Sequence, residues 1–261
     1  MTPHMPKQRL DTLLAERGLF ASRSRAAASV MAGEVRVGPE RRRASKPGEM
    51  IDVDAPVLVD ERPRFASRGG IKLANALDTL GVDVAGRRAL DVGASTGGFT
   101  DCLLQRGAEH VVALDVAYGE LDWRLREDER VTVIERTNAR ALAPEQLPYR
   151  PELVTIDVSF ISLTKVLPAV LAAAAPEFDC LAMVKPQFEV GRERLPKGGV
   201  VRDPELRRAA VEAVADCARE LGAAVLWSAP SALEGPSGNR ETFLWLAEAG
   251  RSGEEGELGA W

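Results

Sequence analysis

The sequence predicts an α/β fold built on a parallel sheet with helices on both faces, preceded by a small α+β module. Three observations carry this expectation. From residue 67 onward, short apolar runs alternate with helical patterns. A glycine-rich turn follows the first of those runs, at Gly93–Gly98. Charge is also uneven: residues 7–55 hold ten basic and seven acidic side chains inside a chain of net charge −5. A locally positive segment in an acidic chain is suited to meeting a polyanion.

The elements follow in order. Leu10, Leu13 and Leu14 fall at helical spacing, and Gly18 ends that helix. Ser22 or Ser24 caps a second helix that runs to Ala32 and stops at Gly33. Val35 and Val37 alternate as in a short strand, broken by Gly38-Pro39. Ile51 and Val53 give another, so the module reads as two helices and a small hairpin, bounded at 1–60. Residues 56–66 contain two prolines and read as a linker, with 61–66 as its core. Six apolar runs then read as buried strands: Ala89–Val92, Val111–Val116, Val131–Ile134, Leu153–Val158, Cys180–Val184 and Ala223–Trp227. Helical patterns cover Lys72–Leu80, Gly98–Arg106, Leu163–Ala175 and Pro204–Leu221, the last with Asp203 as N-cap and Pro204 at N1. Such alternation implies a parallel sheet over 67–250, with ligands bound beyond the carboxyl ends of its strands. The end, Arg251–Trp261, is polar and acidic and reads as a disordered tail.

Bulk features exclude several classes. Hydrophobic residues make up 45% and charged residues 28%, as in a well-cored soluble protein. Cys102, Cys180 and Cys217 lack metal-ligand spacing and are odd in number, which fits reduced thiols of a cytoplasmic protein and no metal site. The N-terminus has no apolar signal region. The most apolar run, Val166–Ala175, contains Pro168 and is about half the length of a membrane span, so no membrane partner is expected. A monomer is the expected state.

The central motif runs from Leu90 to Thr100 (LDVGASTGGFT). A phosphate-binding P-loop would need Gly-Lys-Ser/Thr, which is missing. A GxGxxG fingerprint would need glycine where Ser95 stands. Gly93-Ala94-Ser95-Thr96-Gly97 does fit the hydrolase nucleophile elbow. That chemistry needs a late histidine, and the only histidines are His4 and His110. A Rossmann-like S-adenosylmethionine (SAM) site fits best, with Asp91, Gly93, Ala94, Ser95, Thr96, Gly97, Gly98 and Phe99 forming the turn. Asp115 ends the next strand, 24 positions after Asp91, near the ~20 typical of a ribose-binding acid. Asp115 also reads as a helix cap. Asn138 reads equally as an adenine contact or a strand-end cap.

Two resemblances sharpen this. The first module resembles the S4 RNA-binding domain through Arg9-Leu10-Asp11, Leu13-Leu14, Gly18-Leu19, Ser22–Arg25, Gly33–Val37 and Lys46-Pro47-Gly48. It departs at Gly38-Pro39, where the family often has Asn-Gly. That resemblance points to Arg9, Arg23, Arg25 and Arg36 as RNA contacts. Beyond it, Ser67–Leu73, Asp91–Thr100, Asp157–Phe160, Lys185–Glu189 and Gly235–Glu241 resemble the TlyA family, which is similar to FtsJ-type 2′-O-methyltransferases. The resemblance implies a tetrad of Lys72, Asp157, Lys185 and Glu241, SAM as cofactor, and methyl transfer to a cytidine 2′-OH of ribosomal RNA, free or in ribosomal subunits.

The chemistry is consistent with those residues. A ribose hydroxyl is a poor nucleophile at neutral pH and needs a proton acceptor. With histidine scarce, a lysine at the end of a buried strand can serve, which makes Lys185 the acceptor and Asp157 its orienter. Lys72 and Glu241 then position the ribose. Each also has a structural reading: Asp157 as a helix cap, Lys72 as a solvated residue, Glu241 as a surface strand residue. Lys197–Arg202 reads equally as an RNA-touching loop or a plain linker. Two other functions compete: a non-catalytic S4-type RNA binder and a haemolysin, a label that TlyA-like sequences have carried.

Overall fold

The structure is a computed structural model and describes residues 6–60 and 63–251. The expected disordered tail lies outside those residues, apart from Arg251. The chain divides into two compact units, Met1–Pro63 and Arg64–Trp261.

The first unit runs β1 (Lys7–Arg9), α1 (Leu10–Glu16), α2 (Arg23–Met31), β2 (Val35–Val37), β3 (Arg42–Arg43), β4 (Met50–Asp52) and β5 (Val57–Val59). Ser22 caps α2, its hydroxyl accepting the Arg25 N–H. Leu10, Leu14, Ala26 and Val35 are fully buried where the two helices meet β2. β1 pairs with β4, and β2 is flanked by β3 and β5. The hairpin expectation is therefore too small, and part of the expected linker is a strand. β5 joins β2 with Val37 opposite Val57. Pro56 stands just before the ladder, where no N–H is needed, and its carbonyl accepts the Gly38 N–H at 2.9 Å.

The second unit begins with α3 (Arg68–Leu80), β6 (Arg88–Val92), α4 (Gly98–Gln105), β7 (His110–Leu114), α5 (Trp123–Arg126) and β8 (Val131–Ile134). It continues with β9 (Leu153–Ile156), α6 (Leu167–Ala173), β10 (Asp179–Val184), α7 (Pro186–Glu189), α8 (Pro204–Glu220), β11 (Ala224–Pro230) and β12 (Thr242–Ala247). The sheet order is β11-β12-β10-β9-β6-β7-β8. This is a Rossmann-like fold with one correction to an all-parallel sheet: β12 inserts antiparallel between β10 and β11. The expected helix Leu163–Ala175 also divides, into a 3₁₀ turn at Leu163–Lys165 and then α6, because Pro168 fits only the first turn of a helix.

Alternation along the strands fills both faces. Leu90, Val92, Val154, Ile156, Ala182 and Val184 pack toward α6 and α8. Ala89, Leu153, Leu181, Met183 and Phe243 pack toward α3 and α4. The chain leaves β6 in one direction for β7 and β8, then returns to β9 on the other side. That reversal opens a crevice at the carboxyl ends of β6 and β9.

Candidate active site

Strand alternation brings three of the four predicted polar residues to that crevice. Thr155 in β9, Met183 in β10 and Phe243 in β12 are buried strand residues, with Met183 opposite Phe243. Two residues along each strand, on the same face, come Asp157, Lys185 and Glu241. Lys72 reaches the same place from the buried side of α3, whose other inward residues include Leu73, Ala76 and Leu77. All four line one cavity of about 400 Å³, within the range of small-molecule sites.

Within it the residues form two ion pairs. Lys72 Nζ lies 2.5 Å from Glu241 Oε2. Lys185 Nζ lies 2.6 Å from Asp157 Oδ1 and donates to Ser159 Oγ at 2.9 Å. Lys72, Lys185 and Glu241 are each buried. Gly235 makes room for the first pair: a Cβ there would stand 2.7 Å from Glu241 Oε1. A buried charge persists only when it is paired, and each of the two buried lysines has a carboxylate beside it. The solvated reading of Lys72 and the surface reading of Glu241 do not hold.

The glycine-rich turn forms the opposite wall. Gly93, Ala94, Ser95, Thr96, Gly98 and Phe99 line the cavity. Gly97 does not; it faces Leu121 and Leu125. Gly93 has φ +86°, and a Cβ there would lie 2.4 Å from the Asp157 carbonyl oxygen. Only glycine permits β6 and β9 to meet so closely at the site. Gly93→Ala is expected to cost at least about 1–2 kcal/mol from the left-handed backbone alone, and to shift Asp157. Thermal unfolding and SAM titration would both register it; an unchanged melting temperature would sink this reading.

Asp91 departs from expectation. It is fully buried beneath the turn and faces α4, not the cavity. Its carboxylate accepts from Thr100 Oγ1 at 2.7 Å and Thr155 Oγ1 at 3.2 Å. Burial, reinforced by the charge of Asp157, pushes its carboxyl up to about 7 against the hydrogen bonds from the two threonines. An unfolded aspartate titrates at about 3.9. Between those values the folded protein retains a proton that the unfolded chain has lost. Stability contributed by this group therefore falls as pH rises through that window and levels off above about 7. Asp91→Asn should remove this slope from a plot of melting temperature against pH; a slope identical to wild type would refute it.

Asp115 sits in a smaller adjoining cleft with Ser95, Glu120 and Glu135. Its carboxylate accepts the Ser95 N–H at 2.7 Å and the Ala117 N–H at 2.8 Å, so it braces the turn as well as facing the cleft. Asn138 lines neither space. Its Oδ1 caps the short helix Ala139–Ala141 through the Arg140 N–H, the capping half of its two readings.

Sequence reasoning missed several cavity residues. Ser159, Met183, Glu234 and Pro236 line it, and Ser67 caps α3 there by accepting the Gly69 N–H. Phe160, with φ +64°, is 92% exposed beside Ser159, its ring 5.4 Å from that of Phe188. Burial raises the carboxyl of Glu189, which accepts from Ser162 Oγ and the Leu163 N–H and so fixes the segment after Phe160.

In the first unit, Arg9 and Arg23 converge on the buried Asp11, at 2.7 Å and 3.1 Å. The hydrogen bond from Arg9 leads in holding the Asp11 carboxyl well below the usual range. Arg36 lies apart from them and pairs with Asp60 at 2.8 Å. Arg25 is exposed, and its side chain has no ion pair among the described residues.

Comparison with known proteins agrees with this architecture. Residues 8–50 match the S4 domain and residues 65–248 the FtsJ-like methyltransferase. The chain is 51% identical to the 16S/23S rRNA (cytidine-2′-O)-methyltransferase TlyA of Mycobacterium tuberculosis, over 92% of this chain and 90% of that protein. It is 46% identical to YqxC of Bacillus subtilis, over 96% and 89%. Among solved structures, a Streptococcus thermophilus protein that carries a hemolysin label superposes with a TM-score of 0.72 at 39% identity, over 96% and 92% of the two chains. The matched domains, their order and the identity across nearly the full length show that this chain belongs to the TlyA family, an S4 domain joined to an FtsJ-like methyltransferase domain.

Proposed function

We propose that this chain transfers a methyl group from SAM to the 2′-OH of a cytidine ribose in ribosomal RNA, acting as a monomer in the cytoplasm. The observation that carries this reading is the meeting of two lysine–carboxylate pairs, one of them fully buried, with a glycine-rich turn in one cavity. The turn fits SAM because Gly93 brings bare backbone to the cavity wall and the carboxylates of Asp115, Glu120 and Glu135 in the next cleft can accept from hydroxyls. Gly93, Ala94, Ser95, Thr96, Gly98 and Phe99 would hold it, with Asp115 toward its ribose. When bound, SAM supplies an electrophilic methyl group.

The protein's own residues do the rest. Lys185, once its ammonium has released a proton to solvent, takes the proton of the 2′-OH as the oxygen attacks, and Asp157 and Ser159 fix its Nζ. Lys72 and Glu241 hold the ribose from the other side. Attack is in line, so orientation contributes heavily to rate. Phe160 offers an exposed aromatic face on which an unstacked base can rest.

The S4 unit supplies RNA affinity through Arg9, Arg23, Arg25 and Arg36, with the first two held by Asp11. A non-catalytic RNA binder would have no need of two lysine–carboxylate pairs in one cavity. No helix among the described residues is long and apolar enough to cross a membrane, and nothing in the site favours a lytic activity.

The deciding experiment is tritium transfer from labelled SAM to bacterial ribosomal subunits and to naked rRNA, with nuclease mapping of the product. Label recovered as a 2′-O-methylcytidine supports the proposal. Binding of SAM without labelling of either RNA form overturns the substrate assignment, and no SAM binding overturns the enzyme.

A further inference from the structure

We infer that a second cavity, beside the methyl-transfer site, binds a phosphodiester of the RNA strand that carries the target nucleotide. This inference rests on RNA being the substrate. The cavity measures about 440 Å³, and Arg202, Arg207 and Arg240 line it together with Glu234 and Gly238. Glu234 also lines the first cavity, and Glu241 of the tetrad directly follows Arg240 in the chain. A strand that places a ribose in the first cavity therefore passes its backbone by the second.

The charges here lack internal compensation. Among the described residues, the side chains of Arg202 and Arg207 make no hydrogen bond or ion pair. Arg240 meets only Glu234, at 3.4 Å, with both side chains more than half exposed, an arrangement of small net value. The carboxylates at the start of α8 are engaged elsewhere: Asp203 accepts the Glu205 N–H, and Glu205 pairs with Arg208. Three guanidinium groups facing one weakly held carboxylate stand out in a chain of net charge −5. The planar fork of arginine matches a phosphate's oxygens in a bidentate fashion.

The site is also built. Asn239 is 1% exposed and ties its two walls together. Its Nδ2 donates to the Gly199 carbonyl, and its Oδ1 accepts the Val201 N–H, both at 2.9 Å. Gly198 and Gly199 adopt positive φ to make that turn. Arg202 and Arg240 thus leave opposite ends of one buried cross-link. The Lys197–Arg202 segment is an anchored wall, and its pairing with the tetrad loop favours the RNA-touching reading over a plain linker.

The test compares wild type with Arg202→Gln, Arg207→Gln, Arg240→Gln and the triple variant, using the ribosomal RNA substrate that wild type methylates. Arg208→Gln, on α8 but outside the cavity, is the control. The triple variant should bind RNA about ten-fold or more weakly, with the slope of log affinity against log salt reduced by about 1 or more. SAM affinity should not change, and kcat at saturating RNA should stay within about two-fold, so the loss appears in KM. If the triple variant unfolds, the triple lysine replacement serves instead: it keeps the charge but loses the bidentate fit, and RNA affinity should still fall. Wild-type affinity and salt slope in a folded triple variant would overturn the site while leaving the methyltransferase intact. Failure of wild type to methylate any ribosomal RNA would remove the substrate reading, and this inference with it.

Discussion

Lys185→Ala should reduce methyl transfer by about 10²–10⁴-fold, the range contributed by a positioned proton acceptor, while SAM binding is kept. The argument is geometric. Lys185 Nζ is the amine that the structure fixes from two sides, by Asp157 at 2.6 Å and Ser159 at 2.9 Å. Among the described residues, no histidine lines the cavity to replace it. Ser159→Ala removes one of those two restraints and leaves the amine, so its loss should be smaller, about ten-fold, as for one charge-assisted hydrogen bond. Single-turnover transfer of tritium from SAM to ribosomal RNA separates the two variants. If Lys185→Ala keeps more than about a tenth of the wild-type rate, far above that range, Lys185 is not the proton acceptor. A Ser159→Ala loss as deep as that of Lys185→Ala would shift the role toward the hydroxyl.

The cavity-lining face was legible in sequence where period-two alternation ran into it. Lys185 ends the apolar run of β10, and Asp157 follows that of β9, so the sequence pattern alone puts both at the ligand edge. Glu241 was different. It precedes the largely buried run Thr242–Ala247, yet only the family resemblance singled it out. No local pattern says that a final strand will turn back and insert antiparallel between β10 and β11; that is decided by long-range pairing. Asp91 was misplaced for a related reason. A strand-end acid next to a glycine turn reads as a ligand contact, but its side of the strand faces α4, and the hydroxyls of Thr100 and Thr155 close over it. Asn138 was ambiguous because a cap and a ligand contact use the same short polar side chain. Ser159 lay inside a family motif without a role: a serine after a strand is unremarkable until Lys185 is seen to donate to it. In the first unit, Pro56 drew the reading toward a linker, although a proline at the foot of a strand costs the ladder nothing.

The pair Lys72–Glu241 yields the largest expected change in stability. Their side chains are 8% and 2% exposed, and each charge depends on the other. Removing one leaves an uncompensated buried ion, which costs about 3–5 kcal/mol. Lys72→Met should therefore be strongly destabilised, and Glu241→Gln, which strands the ammonium, similarly so. The double variant Lys72→Met/Glu241→Gln carries neither charge, and replacing a whole buried pair is often close to neutral. It should recover most of the lost stability, although not the activity, because the ribose then loses both of its proposed positioning groups. Denaturant unfolding of the four proteins forms a double-mutant cycle, and tritium transfer is read on the same samples. Additive destabilisation would show that the two charges do not depend on each other. A stable double variant that still methylated at the wild-type rate would confine the pair to packing. Recovery of stability without recovery of transfer is the outcome this geometry predicts, since the two groups meet inside the cavity.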